Sequence, residues 1–111
     1  MSVDESAVCN IYRRLLHQLV KSLENDLRMM VVIELLNNGP LSFRALGRRL
    51  RVNYRRLNEA LRHLASTGII QVYTVKISPT KSYRFYHVSE AYLPILKTLL
   101  IVEDREYREH R

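Results

Sequence analysis

Seven arginines and a single acid, Glu59, lie between Arg44 and Arg62. A guanidinium is a planar fork that grips phosphate oxygens or the edge of a guanine through two parallel hydrogen bonds. A row of them is therefore chemistry for a polyanion with regularly spaced charge. Arg44, Arg48, Arg49 and Arg51 form the first half of the row, and Arg55, Arg56 and Arg62 the second. Asn53, Tyr54, Asn58 and Glu59 are interleaved with the second half. Those side chains donate to or accept from base edges, with glutamate the type that accepts from cytosine. Farther on, Lys76, Lys81 and Arg84 add three more cations within a short span.

Other chemistries have no foothold. The sequence holds one cysteine, Cys9, and four scattered histidines, His17, His63, His87 and His110. No metal-ligand spacing arises from them, and one cysteine excludes an intramolecular disulfide. An intersubunit bridge through Cys9 stays open. No glycine-rich phosphate loop, nucleophile–base pair or HExxH motif occurs, and the three aspartates, Asp4, Asp26 and Asp104, lie outside the basic stretch. We expect no catalytic residues, no cofactor, no metal and no enzymatic activity. No run approaches the roughly 18 apolar residues of a membrane span, and no signal-peptide pattern opens the chain. The expected location is the cytoplasm, beside the nucleoid, with no membrane partner.

Charge is concentrated rather than spread. Net charge over 111 residues is +7, yet residues 42–88 hold ten Lys/Arg against Glu59 alone, while each flank holds four basic and five acidic residues. A local field of this kind fits an anionic partner better than general solubility. Arginine outnumbers lysine fourteen to four. That bias suits nucleic acid, and equally a GC-rich or thermophilic genome.

These residues must be positioned by a small scaffold, one domain by length. Ser2, with Glu5 reaching back, reads as a capping box opening a helix to about Glu24. Val8, Ile11, Leu15, Leu19 and Leu23 form its stripe, widened by Tyr12, Leu16 and Val20. Asn25 caps a second helix, apolar almost all round and so expected to be central, which Asn37-Asn38-Gly39-Pro40 stops. Ser42 caps a third helix ending near Leu50, Arg51-Val52 turn the chain, and Asn53 caps a fourth that ends at Gly68. The period then changes to two over Ile69–Ile77 and Tyr83–Val88, a hairpin. Ser89 is expected to cap a last helix reaching about Arg108, with Pro94 near its start.

Within helices three and four, Gly47 sits where a steep crossing needs a small residue; Leu46, Leu50 and Val52 face the core beside it. At about 100° per residue, Leu57, Ala60, Leu61 and Leu64 form the buried stripe of helix four. Arg55, Asn58, Glu59 and Arg62 fall opposite, and Asn53 and Tyr54 at its amino end. Alone, such a face is an ordinary solvated one; the capped turn, Gly47 and the charge density together favour base reading. In the hairpin, Ile77 is expected to pair with Tyr83, setting Lys76 opposite Arg84, with Tyr86 and Val88 inward.

Leu99-Leu100-Ile101-Val102 is apolar on every side, more than one small core covers. A second subunit over Val8, Ile11, Tyr12, Leu15, Leu19, Leu96, Leu99, Leu100 and Val102 is the simplest solution, against the alternative of a monomer folding both helices onto its own core.

Residues PLSFRALGRRLRVNYRRLNEALRHLASTGIIQVY, followed by YRFYHVS, resemble the winged helix-turn-helix of ArsR/MarR-like transcription regulators, particularly small archaeal and archaeal-virus ones. The likeness rests on Leu46-Gly47-Arg48-Arg49-Leu50, on Leu61 to Ile70 and on the Tyr86-His87-Val88-Ser89 corner, about half of the chain. It implies a mainly α fold with a small antiparallel hairpin: residues 1–24 an extra helix, 25–88 the winged core, 89–111 a C-terminal helix. It implies a homodimer on double-stranded DNA, with recognition helix 53–67 in the major groove and wing 76–84 on the backbone or minor groove. Arg48, Arg49, Arg51 and Lys81 would then hold phosphates, and Asn53, Tyr54, Arg55, Asn58, Glu59 and Arg62 approach the bases, with Ser42, Arg44, Arg56, Lys76 and Arg84 completing the DNA-binding set. The metal-sensing members carry a Cys/His cluster that this chain lacks, so any small-molecule effector is unassigned. A non-specific architectural chromatin protein and a winged-helix protein–protein adaptor are the alternatives.

Overall fold

A computed structural model describes residues 5–101, with side chains described for residues 7–99. Its elements are α1 (Glu5–Leu23), α2 (Asp26–Asn38), β1 (Leu41–Ser42), α3 (Phe43–Leu50), α4 (Tyr54–Ser66), β2 (Ile70–Lys76), β3 (Ser82–Val88) and α5 (Leu93–Leu96), the last running into a π-helical turn at Lys97–Ile101. This order, with a three-stranded antiparallel sheet β1-β3-β2, is a winged helix-turn-helix. The capping box at Ser2, Val102 and the helix beyond Ile101 lie outside the described residues.

Caps delimit the helices as their sequence signals require. Asn25 accepts from the Arg28 amide at 3.1 Å, Ser42 from Ala45 at 3.2 Å, and Asn53 from Arg55 and Arg56 at 2.7 and 3.3 Å. Each satisfies amide donors that a first helical turn leaves without partners. Gly39 ends α2 at φ 70°, ψ −161°, an extended conformation with positive φ. Arg51, between α3 and α4, takes the left-handed conformation (φ 52°, ψ 46°), and its amide donates to the Gly47 carbonyl at 2.9 Å.

The core is built from Val31, Val32, Leu35, Leu46, Leu57, Leu61, Leu64, Ile69, Ile70, Tyr86, Val88, Tyr92 and Leu96 with their neighbours. α2 touches α1, α3, α4, β3 and the π turn, so it is central as expected. It is not enclosed, because Met30 and Ile33 remain exposed on its far side. The inward face of α1 includes two polar residues that periodicity passes over. Gln18 donates to the Thr67 carbonyl at 3.1 Å, and buried Ser22 hydrogen-bonds His63 Nε2 at 3.2 Å, fastening α1 to the end of α4.

Three expectations are corrected. The hairpin is one part of a larger sheet: Leu41 and Ser42 pair with Tyr86 and Phe85 as a third strand too short to show periodicity. The register places Lys76 opposite Ser82 and Arg84 opposite Thr74, so Ile77 does not pair with Tyr83 and the two cations are not directly opposed. The cause is a bulge at the tip, where the Ile77 and Ser78 amides both donate to the Lys81 carbonyl at 2.9 and 3.2 Å. Ser78 Oγ holds the turn by accepting from Lys81 N at 3.0 Å. Finally, Ser89 does not cap the last helix with its side chain. Its hydroxyl donates to the Gly68 carbonyl at 2.7 Å, and α5 begins four residues later without a side-chain cap.

Candidate nucleic-acid interface

Helices α3 and α4 present the arginine-rich stretch because their leucines are taken by the core. Leu46, Leu57, Leu61 and Leu64 are buried, and the residues between them are forced outward. Arg44, Arg48, Arg49, Arg51, Asn53, Tyr54, Arg55, Arg56, Glu59 and Arg62 are exposed, as are Lys76, Lys81 and Arg84 on the wing; Ser42 and Asn58 are half-buried. Among the described residues only two carboxylates lie within 4.0 Å of these cations. Glu34 holds Arg49 at 2.9 Å, and Glu59 approaches Arg55 at 3.9 Å with both side chains in water. The remaining guanidiniums have no intramolecular counter-ion among the described residues.

Gly47 has the steric reason expected of it, but the neighbour is a side chain and not a crossing backbone. A methyl group there would stand 2.5 Å from Tyr54 Cε1 and 3.1 Å from Cδ1. The edge of the Tyr54 ring thus occupies the space glycine leaves, tilted against Phe43 at 5.3 Å between centroids, while more than half of the residue stays exposed.

The polar face of α4 divides into three strips. Asn58 turns toward the start of α3 and the wing, lining a cleft with Ser42, Arg44 and Arg84. Glu59 and Arg56 turn the other way, toward Asn25 and Arg28 at the start of α2. Arg55 and Arg62 stand between, separated by about 20° at the helical repeat. Asn53 caps α4 as its sequence signal requires. Its amide oxygen is already the cap of α4, and reading adenine needs both the oxygen and the nitrogen. Ser42 Oγ also accepts a cap bond, but its hydroxyl hydrogen stays available to a phosphate. Arg49 anchors α3 to α2 through Glu34, which Asn38 Nδ2 also contacts at 3.0 Å. Sequence reasoning missed this tie, since a pair fifteen residues apart leaves no local signal.

Apolar residues expected at a subunit interface separate in the structure. Leu19 and Leu96 are 3% and 1% exposed, in the chain's own core. Leu15 packs partly on that core. Val8 is half-buried, whereas Ile11, Tyr12 and Leu99 are 57%, 63% and 52% exposed. Leu16 and Val20, which were not singled out for this role, are exposed beside Tyr12 and line a groove along α1 with Cys9. The side chain of Leu100 falls outside the described set. Among the described residues there is no group of three or more metal-ligating side chains. No helix among them is long and apolar enough to cross a membrane.

In helix-turn-helix DNA-binding proteins the second helix lies in the major groove, and here the second helix and the wing carry exposed cations. No protein-family profile matches the sequence, and no curated protein matches it. Solved structures do. Reduced HlyU from Vibrio cholerae is 26% identical, with a TM-score of 0.61 over 83% of this chain and 95% of that one. The homodimeric winged helix-turn-helix DNA-binding domain of a possible ArsR-family transcriptional regulator from Mycobacterium bovis is 20% identical, covering all of this chain and 94% of that one, TM-score 0.66. The transcriptional repressor BigR from Xylella fastidiosa is 22% identical over 88% of this chain and 97% of that one, TM-score 0.64. The chain shares the winged helix-turn-helix fold of these structures.

Proposed function

We propose that this protein is a homodimeric, sequence-specific DNA-binding transcription regulator, and not an enzyme. The observation that carries the reading is the outward arc of α4: Arg55, Arg62, Asn58 and Glu59 lie outside the apolar core, flanked by cations on α3 and the wing of which only Arg49 has a carboxylate within 4.0 Å among the described residues. In this reading α4 enters the major groove. Ser42, Arg44, Arg48, Arg51, Arg56, Lys76, Lys81 and Arg84 meet the backbone, with one wing cation free to enter the minor groove. Arg55, Arg62, Asn58, Glu59 and Tyr54 face base edges. The homodimeric Mycobacterium bovis domain supports a two-fold assembly, and the exposed apolar residues of α1 supply a surface for it. Two copies of α4 about one helical turn apart would read a palindrome. The protein would act in the cytoplasm, at the nucleoid.

The test is affinity for a duplex selected from a random pool, against a scrambled duplex of equal length at the same salt. Specific regulators prefer their site by roughly a thousandfold or more. Equal affinities would instead support a non-specific architectural role. Arg55→Glu with Arg62→Glu should abolish binding to both duplexes; retained binding would place the interface on another surface.

A further inference from the structure

Strand β2 has a neighbour on one side only, because the sheet order is β1-β3-β2. The Ile69 carbonyl accepts from the Ser89 amide and the Ile77 amide donates to the Lys81 carbonyl, both across the hairpin. Backbone groups alternate in direction along a strand, so Gln71, Tyr73 and Val75 also face β3. Val72, Thr74 and Lys76 therefore direct their amides and carbonyls to the open edge, and no hydrogen bond among the described residues engages them there. Natural edge strands are guarded by charge, proline or a covering element. This one is exposed from Gln71 to Lys76, contains no proline, and carries one charge, Lys76, at its end.

Side chains of β2 separate by face. Val72, Thr74 and Lys76 share the face of Tyr86 and Arg84. Tyr73 and Val75 share the other with Phe85 and Tyr83, and there the Tyr73 and Phe85 rings stack at 5.7 Å between centroids. We infer that β2 pairs antiparallel with β2 of a second copy about a two-fold axis at Thr74, joining two three-stranded sheets into one. This axis engages all three open residues with one another. An axis one residue earlier would set Lys76 against buried Ile70, and one residue later would set Val72 against Ser78, whose amide is bonded to Lys81. About Thr74, the two threonines meet, Lys76 meets Val72 and Tyr73 meets Val75. The lone cation thus faces an apolar side chain and not its like, and threonine pairs and aromatic–β-branched pairs are favourable across strands. What opposes the pairing is the face shared with Arg84. Lys76 and Arg84 of both copies gather there, no acid occurs between Glu59 and Glu90, and neither cation has a carboxylate within 4.0 Å among the described residues. Copies therefore pair along a polyanion that neutralises this face, and not in free solution. That the polyanion is duplex DNA, loaded side by side with copies, rests on the proposed function; the strand pairing does not.

The experiment uses the full chain carrying Cys9→Ser and Thr74→Cys, oxidised mildly with diamide alone, with a long duplex, and with inorganic polyphosphate. Residues paired at such an axis stand about 5.5 Å apart at Cα, within reach of a disulfide. A covalent dimer should form at least about tenfold faster with either polyanion than without one. Ile77→Cys in the same background, at an exposed position set far along the strand from its own copy, should not form it. Equal yields at positions 74 and 77 overturn the register, and no product with either polyanion overturns the pairing. Equal yields with and without polyanion overturn the dependence on charge. A product with polyphosphate from a protein that binds no duplex refutes the DNA reading and leaves the pairing standing. On duplexes the readout is cooperativity in a gel shift. The second of two abutting selected sites should fill about tenfold more tightly than an isolated site at the same salt. Thr74→Pro removes an open-edge donor that β3 does not use, and Val75→Glu sets a charge on the apolar face. Both should bring that ratio to about one with single-site affinity retained. A wild-type ratio of about one, or a ratio that survives both variants, overturns side-by-side loading through this edge.

Discussion

Gly47 and Tyr54 determine each other's positions, and the pair illustrates how single residues divide between stability and recognition. Alanine at position 47 gains helix propensity, up to ~1 kcal/mol relative to glycine, and simultaneously pushes the Tyr54 ring out of its seat. Gly47→Ala should therefore move the melting temperature by no more than about 4 °C in either direction. It should weaken binding to the selected duplex by about tenfold, read by fluorescence anisotropy, if the seated Tyr54 ring meets DNA. A large loss of Tm with intact DNA affinity would show that the close approach serves packing alone. The arginines divide in a similar way. Arg48→Ala should weaken selected and scrambled duplexes alike and reduce the slope of log affinity against log salt by about one. Arg55→Ala should cost about 1–3 kcal/mol on the selected duplex and relax preference at one base pair. If both variants behave identically, the assignment of backbone and base roles to α3 and α4 fails. Residue types and their burial pattern were readable in advance here. What escaped was the commitment of Arg49 to Glu34, a partner fifteen residues away.

At the scale of elements, the junction of α1 with α4 couples the helix bearing the exposed apolar groove to the helix proposed to read DNA. Ser22 and His63 meet there at 3.2 Å, and Gln18 reaches the Thr67 carbonyl. Burial, and then the positive charges of Arg28 and Lys21, lower the His63 pKa from 6.5. The folded state thus binds a proton at this site less readily than the unfolded chain does. Its stability is retained above pH 6.5 and falls as the pH drops below 6.5 through the lowered folded value. We expect the melting temperature to decline between about pH 7.5 and about pH 5, with His63→Gln removing part of the slope while the rest of the chain is unchanged. An unchanged slope in His63→Gln would place the titration elsewhere. The sequence marked α1 as amphipathic through its leucines, yet the polar fastenings are residues that periodicity assigns to the surface. The same holds for β1, where two residues gain strand geometry only by lying beside β3.

At the scale of the whole molecule, the described residues leave several large apolar side chains open to solvent. Ile11, Tyr12, Leu16 and Val20 are exposed along α1, and Met30, Ile33 and Leu99 elsewhere. If a second copy covers the α1 face, Ile11→Lys with Val20→Lys should convert the dimer to a monomer in sedimentation while leaving circular dichroism intact. Affinity for the palindromic duplex should then fall about a hundredfold, since each half-site must be bound without its tethered neighbour. A wild-type protein that sediments as a monomer at micromolar concentration would remove this assembly from the proposal. Dimerisation also bears on Leu19 and Leu96, which the sequence offers as interface residues and the fold assigns to the protomer core.

Amino-acid order alone determined the helix-turn-helix, its caps and the concentration of arginine on one face, because helical period, capping and charge density are local properties. Leu57, Leu61 and Leu64 had to point inward together, and Arg55, Glu59 and Arg62 had to point away from them. Only the tertiary structure decided the sheet register, the third strand, the division of Asn58 from Glu59 onto opposite flanks and the cleft between α3 and β3. Each of those depends on which distant segments come to lie side by side. Backbone pairing across the chain, such as Ser42 with Phe85, is set by closure of the whole core and leaves no periodic mark on either strand by itself.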